Sequence, residues 1–172
     1  MIFMDYDVIF KRKSIRDYTD EEIDDDSIKT ILKAAMQAPS ACNTQGWEFL
    51  VVKNRENIEK LSKMSKYSGC AKRANTLILV MVNLEKVPKT RPWFAQDLSA
   101  STENILLEAT NLGIGSVWLG LYPDSKRVQY VKETMDLPLN IVPFSLVALG
   151  YPKHEYTIED RYDESKVHYE KY

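Results

Sequence analysis

Residues Thr76–Val82 read TLILVMV, a run of seven with no charge in it and four β-branched side chains. It is far too short to cross a bilayer. It is also too evenly apolar to turn one face to water, so it predicts a strand covered on both faces. The remaining elements must supply that cover and the strands that pair beside it.

The chain offers both. Trp47–Val52 (WEFLVV), Ser116–Tyr122 and Val142–Leu149 read as further strands. Ile28, Ile31, Leu32, Ala35 and Met36 recur at helical spacing. Asp24, Asp25 and Asp26 suit the start of that helix, and Pro39 stops it. Further helices are predicted from Asn57 to about Lys66, over Leu98–Leu112 with Gly113 as the cap residue, and over Asp124–Met135. Tyr6–Phe10 reads as a short N-terminal helix and Thr19–Asp26 as an acidic turn. Asn83–Pro92 is a loop long enough to act as a lid or a partner contact.

Helices separating strands in this way give an α+β or α/β chain. With no repeat or linker to divide it, residues 1–172 are expected to form one domain. The tail, Tyr151–Tyr172, is polar, charged and tyrosine-rich, and it cannot build a core of its own. That leaves disorder or a course along another subunit.

Lys and Arg number 23 against 25 Asp and Glu, a net charge of -2. No global positive field exists to hold nucleic acid or a membrane surface, so neither partner is expected. Cys42 and Cys70 lack metal-ligand or redox-pair spacing, and His154 and His168 both lie in the tail, so no metal is expected. Asp5 and Asp7 interrupt the apolar N-terminus, unlike a signal peptide, and the protein is expected in the cytoplasm.

Against this background Lys11-Arg12-Lys13-Ser14-Ile15-Arg16 concentrates four cations. One reading is a solvated helix end, where cations complement the negative pole of the dipole. The other uses the spacing. Arg12, Ser14 and Arg16 stand two apart, so an extended backbone aims all three at one side. Guanidinium forks beside a hydroxyl suit a phosphate monoester next to a polyol. The acids between Asp17 and Asp26 would repel a polyphosphate backbone.

Two more stretches stand out. Pro39–Trp47 (PSACNTQGW) lies between a helix and a strand, where binding loops are carried, although local Asx and Ser turns explain the same residues. Gly113-Ile114-Gly115 begins like a dinucleotide fingerprint, but Trp118 takes the third glycine's place and the stretch leads into a strand. That excludes the dinucleotide reading. Gly120 inside an apolar strand points to a ligand approaching the backbone closely.

Taken in order, RKSIR (12–16), APSACNTQGW (38–47), QDLSASTENILLEA (96–109), GSVWLG (115–120), ALGYP (148–152) and DRYD with VHY (160–169) resemble the nitroreductase family, in its short, FMN-dependent, homodimeric form. The resemblance spans essentially the whole chain. It implies an α+β fold with a central, mostly antiparallel sheet flanked by helices and a C-terminal tail wrapping the partner subunit.

It also implies a site. Arg12 and Ser14 match positions that hold the FMN phosphate and ribityl chain, with Lys13 beside them, and Arg16 matches a cation near N1 and the C2 carbonyl. Pro39, Ser40, Ala41 and Asn43 match a loop contributed by the second subunit. Trp118, Leu119 and Gly120 match the strand against the flavin, with the Gly120 amide placed to donate to N5. Arg161 matches a cation completing the phosphate site.

No catalytic side chain is expected, because hydride chemistry belongs to the cofactor. The implied activity takes hydride from NADH or NADPH to nitroaromatic or quinone-like acceptors, with Trp93 and Phe94 lining the acceptor site or packing in the core. A flavin-binding, redox-sensing module without fast turnover fits the same residues.

Overall fold

A computed structural model of the 172-residue chain describes residues 8–88 and 93–172. In chain order its elements are α1 (Val8–Lys11), α2 (Asp25–Ala35), β1 (Trp47–Val52), α3 (Arg55–Leu61), β2 (Thr76–Asn83), α4 (Phe94–Asn111), β3 (Gly115–Gly120), α5 (Ser125–Thr134) and β4 (Ile141–Gly150). The four strands form one sheet in the order β1-β2-β4-β3, and every pairing is antiparallel.

The apolar run is central in that sheet, and its alternation explains its composition. Leu77, Leu79 and Met81 face one layer with Ile58, Leu61 and Val131 from α3 and α5. Ile78, Val80 and Val82 face the other, with Ile28 and Ile31 of α2 and Leu98, Ile105 and Ala109 of α4. All six β2 side chains are buried, so the expected two-sided cover is present. The β2–β4 register slips between Val80 and Met81, opposite Pro143 and Ser145. A bulge is where a central strand tolerates proline. There the Ser145 hydroxyl finds a buried partner in Thr102 Oγ1 at 3.0 Å.

Element boundaries differ from expectation for local reasons. The long helix begins at Phe94, four residues before Leu98, where the Gln96 N–H and Asp97 N–H already bond to the Trp93 carbonyl. The strand expected to run to Tyr122 ends at Gly120, because the Leu121 and Tyr122 amides both turn to one carbonyl, that of Phe144. The helix expected from Asn57 starts at Arg55, behind an Asn54 cap, and stops at Leu61. The N-terminal helix covers Val8–Lys11, and its expected beginning at Tyr6 lies outside the described residues. The loop from Asn83 opens with a 3-10 turn at Leu84–Lys86, while residues 89–92 lie outside the description. Among the described residues no helix is long and apolar enough to cross a membrane.

Asp24 caps α2 as its position suggested. Its carboxylate accepts the Ser27 N–H at 2.8 Å and the Ser27 hydroxyl at 2.6 Å, and these bonds hold its pKa below the usual carboxylate value. A lowered folded-state pKa gives stability that is present above the unfolded value and lost as pH falls through the folded one. The melting temperature is therefore expected to drop on acidification below about pH 4. Asp24→Asn caps without titrating, so its melting temperature should fall less over that window; equal falls would remove Asp24 as a contributor.

Candidate functional site: a cationic segment docked on the edge of the sheet

Arg12 closes α1, its N–H bonding to the Val8 carbonyl at 2.9 Å. The chain then runs extended along the sheet. Ser14 bridges Ser116 in parallel and Tyr18 bridges Pro152 in antiparallel fashion. The Ile15 N–H reaches the Ser116 carbonyl at 2.8 Å, and the Thr19 N–H reaches that of Tyr151 at 2.9 Å.

Two glycines make room for this docking. Gly115 and Gly150 face each other across β3 and β4. A Cβ on Gly115 would lie 2.8 Å from Ile15 Cγ2, and one on Gly150 would lie 2.7 Å from Tyr18 Cγ. The Tyr18 hydroxyl sits 2.6 Å from the Ile15 carbonyl and 3.2 Å from that of Ala148. Burial pushes the phenol pKa upward, which keeps it a donor.

The docked segment serves two cavities. Arg12 and Lys13 line one of about 370 Å³ together with Arg161, Glu159 and Tyr162 of the tail. Lys13 Nζ lies 2.8 Å from Glu159 Oε1, Arg161 Nη2 lies 3.3 Å from Glu159 Oε2, and Arg12 Nε lies 3.6 Å from Glu103 Oε1. Hydrogen bonds from Lys13 and then Arg161 hold the Glu159 pKa below the ordinary glutamate value.

Arg16 lines a second cavity, of about 340 Å³, with Ser65, Tyr67, Trp118, Gly120 and Arg127. The expected alternation of Arg12, Ser14 and Arg16 toward one side is therefore not kept. Arg12 still belongs to a helix end, so Lys13 shares its cavity, and Ser14 lines neither cavity but forms the bridge to Ser116.

β3 is an edge strand, and its free edge faces this second cavity. The Ser116 carbonyl points outward to Ile15. Strand groups alternate in direction, so the N–H and C=O groups of Trp118 and Gly120 point outward as well. Gly120 leaves room for a flat ring beside this edge. An added Cβ there would meet nothing within 4 Å, leaving open ground beside the outward N–H groups. Trp118 itself is half-buried and tilts against Phe144, with ring centroids 5.9 Å apart. Phe94 packs edge-on against Tyr122 at 5.2 Å, while Trp93 is half exposed.

The Pro39–Gln45 loop lies apart from both cavities in this chain and lines neither. It has a defined shape nonetheless. Cys42, Asn43 and Gln45 all take positive φ, the Gln45 N–H bonds to Ser40 Oγ at 3.0 Å, and the Ala41 N–H bonds to the buried Asp97 carboxylate at 2.9 Å.

Three contributors escaped the sequence reading: Asp97, Arg127 and the Ser65–Tyr67 wall. Of these only Arg127 left a local signal, its i,i+3 spacing from a helix-capping aspartate, Asp124. The other contacts arise through space.

Comparison with known proteins follows the same outline. The Nitroreductase family model matches residues 9–68 and 63–151. A provisionally named NADH dehydrogenase/NAD(P)H nitroreductase of Archaeoglobus fulgidus is 45% identical over 168 residues, 96% of this chain and 97% of that one. The crystal structure of a provisionally named NADH oxidase of Clostridium acetobutylicum superposes with a TM-score of 0.93 at 44% identity, covering 96% of this chain and 100% of that one. An FMN-dependent nitroreductase of Clostridium difficile gives 0.88 at 28%, covering 96% and 98%.

Proposed function

This chain belongs to the nitroreductase family, and on that premise we propose a single-domain, homodimeric, cytoplasmic FMN enzyme that takes hydride from NADH or NADPH and reduces nitroaromatic or quinone-like acceptors. The observation that carries the reading is the outward edge of β3 at Trp118–Gly120, open beside Gly120 and flanked by the Arg16 guanidinium. Bound FMN supplies the hydride-accepting and hydride-donating chemistry.

The chain's own residues bind and orient it. Arg12, Lys13 and Arg161 would hold the phosphate through charge-assisted hydrogen bonds, displacing the acids that now neutralise them. Ser14, which follows Lys13 in the chain and bridges Ser116, would meet the ribityl hydroxyls. Arg16 would sit at the N1 and C2-carbonyl side, where a fixed cation stabilises negative charge developing on reduction. The Gly120 N–H, on the free edge, would donate to N5.

Dimerisation is supported by what one chain leaves uncovered. Ile9, Phe10, Ile158, Tyr162 and Tyr169 are all exposed, and the tail beyond Pro152 lies open along its length. Such apolar ground beside a polar tail suits a second copy. In that assembly the Pro39, Ser40, Ala41 and Asn43 loop would approach the partner's flavin.

The purified protein is expected to be yellow, with absorbance near about 450 nm that bleaches under anaerobic NADH or NADPH and returns on adding a nitroaromatic or quinone. Colourless protein that takes up no FMN would overturn the cofactor. Bound flavin that neither nicotinamide bleaches would point to a sensing module instead.

A further inference from the structure

Gly120 stands opposite Ser145 in the β3–β4 register, yet its own N–H and C=O point away from β4, as the Ser116 contact four pairs earlier establishes. The Leu121 N–H bonds to the Phe144 carbonyl at 3.2 Å and so holds the Gly120–Leu121 peptide from the β4 side, but the ladder does not reach its outward edge. Nor does a side chain, since no atom lies within 4 Å of where its Cβ would be. Glycine at a strand end, without packing, has wide backbone freedom. What its carbonyl does have is Arg127, whose Nη1 donates to it at 3.0 Å.

Arg127 is itself fixed. Its Nε lies 3.1 Å from Asp124 Oδ2, and the same carboxylate caps α5 by accepting the Lys126 and Arg127 N–H groups at 3.0 and 3.2 Å. A planar fork can bond to two acceptors at once in a set geometry, which a lysine ammonium cannot reproduce. The guanidinium lines the same cavity as Arg16, from the Gly120 side.

We propose that Arg127 is a positioning residue of the flavin site: anchored by Asp124, it holds the Gly120–Leu121 peptide from the open edge of β3, restrains the φ and ψ of Gly120 and so keeps the Gly120 N–H aimed as a donor. This rests on the FMN reading above. The Gly120 N–H belongs to the Leu119–Gly120 peptide and its C=O to the Gly120–Leu121 peptide. In an extended residue the two point the same way, so a grip on the second peptide from the open side narrows the φ and ψ that set the N–H direction. A donor facing N5 favours oxidised flavin, whose nitrogen there has a free lone pair, over the two-electron-reduced form, whose N5 carries a proton.

The experiment compares full-length wild type, Arg127→Lys and Arg127→Gln by FMN titration, bound-flavin midpoint potential and melting temperature. Arg127→Lys keeps the charge and loses the two-armed grip. It is expected to bind oxidised FMN about tenfold more weakly while holding reduced FMN as wild type does. That difference raises the two-electron potential by about 30 mV. Arg16→Ala, which removes a cation from the reduced ring, should move the potential the other way.

A wild-type potential in Arg127→Lys, whether or not its melting temperature falls, would overturn the proposal. So would a lowered potential in Arg127→Gln with none in Arg127→Lys, because Arg127 would then act as a bare charge. Should Arg127→Gln fail to fold, Arg127→Lys still decides. Wild-type protein that binds no FMN would overturn the site reading together with this inference, whereas FMN-binding wild type with unaltered variants sinks the inference alone.

Discussion

Arg12→Ala and Arg16→Ala are each expected to weaken FMN binding by about 1.5–3 kcal/mol, the ordinary worth of a hydrogen bond to a charged group. That corresponds to roughly ten- to a hundredfold in dissociation constant. The two should differ in kind. Arg12 lines the cavity shared with the tail, so its loss should act on the phosphate: discrimination between FMN and riboflavin should shrink. Arg16 lines the cavity along β3, so its loss should leave that discrimination intact. Flavin titrations of the two variants with both ligands provide the check. Unchanged flavin content in both would return the cluster to a solvated helix end.

Gly150→Ala is expected to destabilise the protein by about 3 kcal/mol, the upper part of the range for overpacking a filled site. The added methyl would lie 2.7–2.9 Å from Tyr18 Cγ, Cβ and Cδ1. These atoms lie near the backbone and cannot swing clear as the far end of a long side chain would. Tyr18 is 5% exposed and is held at its hydroxyl end by the Ile15 and Ala148 carbonyls. Relief must come from moving the extended segment, so FMN affinity should fall together with stability. Urea unfolding with flavin titration would measure both. Gly69→Ala, where a Cβ meets nothing within 4 Å, serves as the control and should stay within about 0.5 kcal/mol of wild type.

The sequence was most legible where one physical cause dominates. Two-sided burial left its mark on Thr76–Val82 because each alternate residue meets an apolar layer. Asp24 was readable because capping is local. Boundaries were less so: β3 ends at Gly120 through competition of two amides for the Phe144 carbonyl, a residue far along the chain. The alternation argument for Arg12, Ser14 and Arg16 assumed an extended backbone from its first member. The helical bond from Arg12 to Val8 removes that member from the register.

Asp97 could not have been found by pattern. Its partner Ala41 is 56 positions away, and an aspartate in the first turn of a helix reads as surface charge. Arg127 was hidden in the same way, since an i,i+3 pair is common on helices and nothing local shows that its guanidinium reaches the end of a strand.

The docking of the cationic segment also sets an order of events during folding. Tyr18 bonds across 130 positions to Ala148, and the Thr19 and Tyr151 contact spans a similar stretch. Closing loops of that size costs chain entropy before any contact repays it. The glycine floor under Ile15 and Tyr18 does not exist until β3 and β4 have paired. The segment is synthesised well before β3 and β4, yet it can be among the last to dock. It must wait, unsheltered, until β4 has left the ribosome, so the ground on which it docks is assembled late.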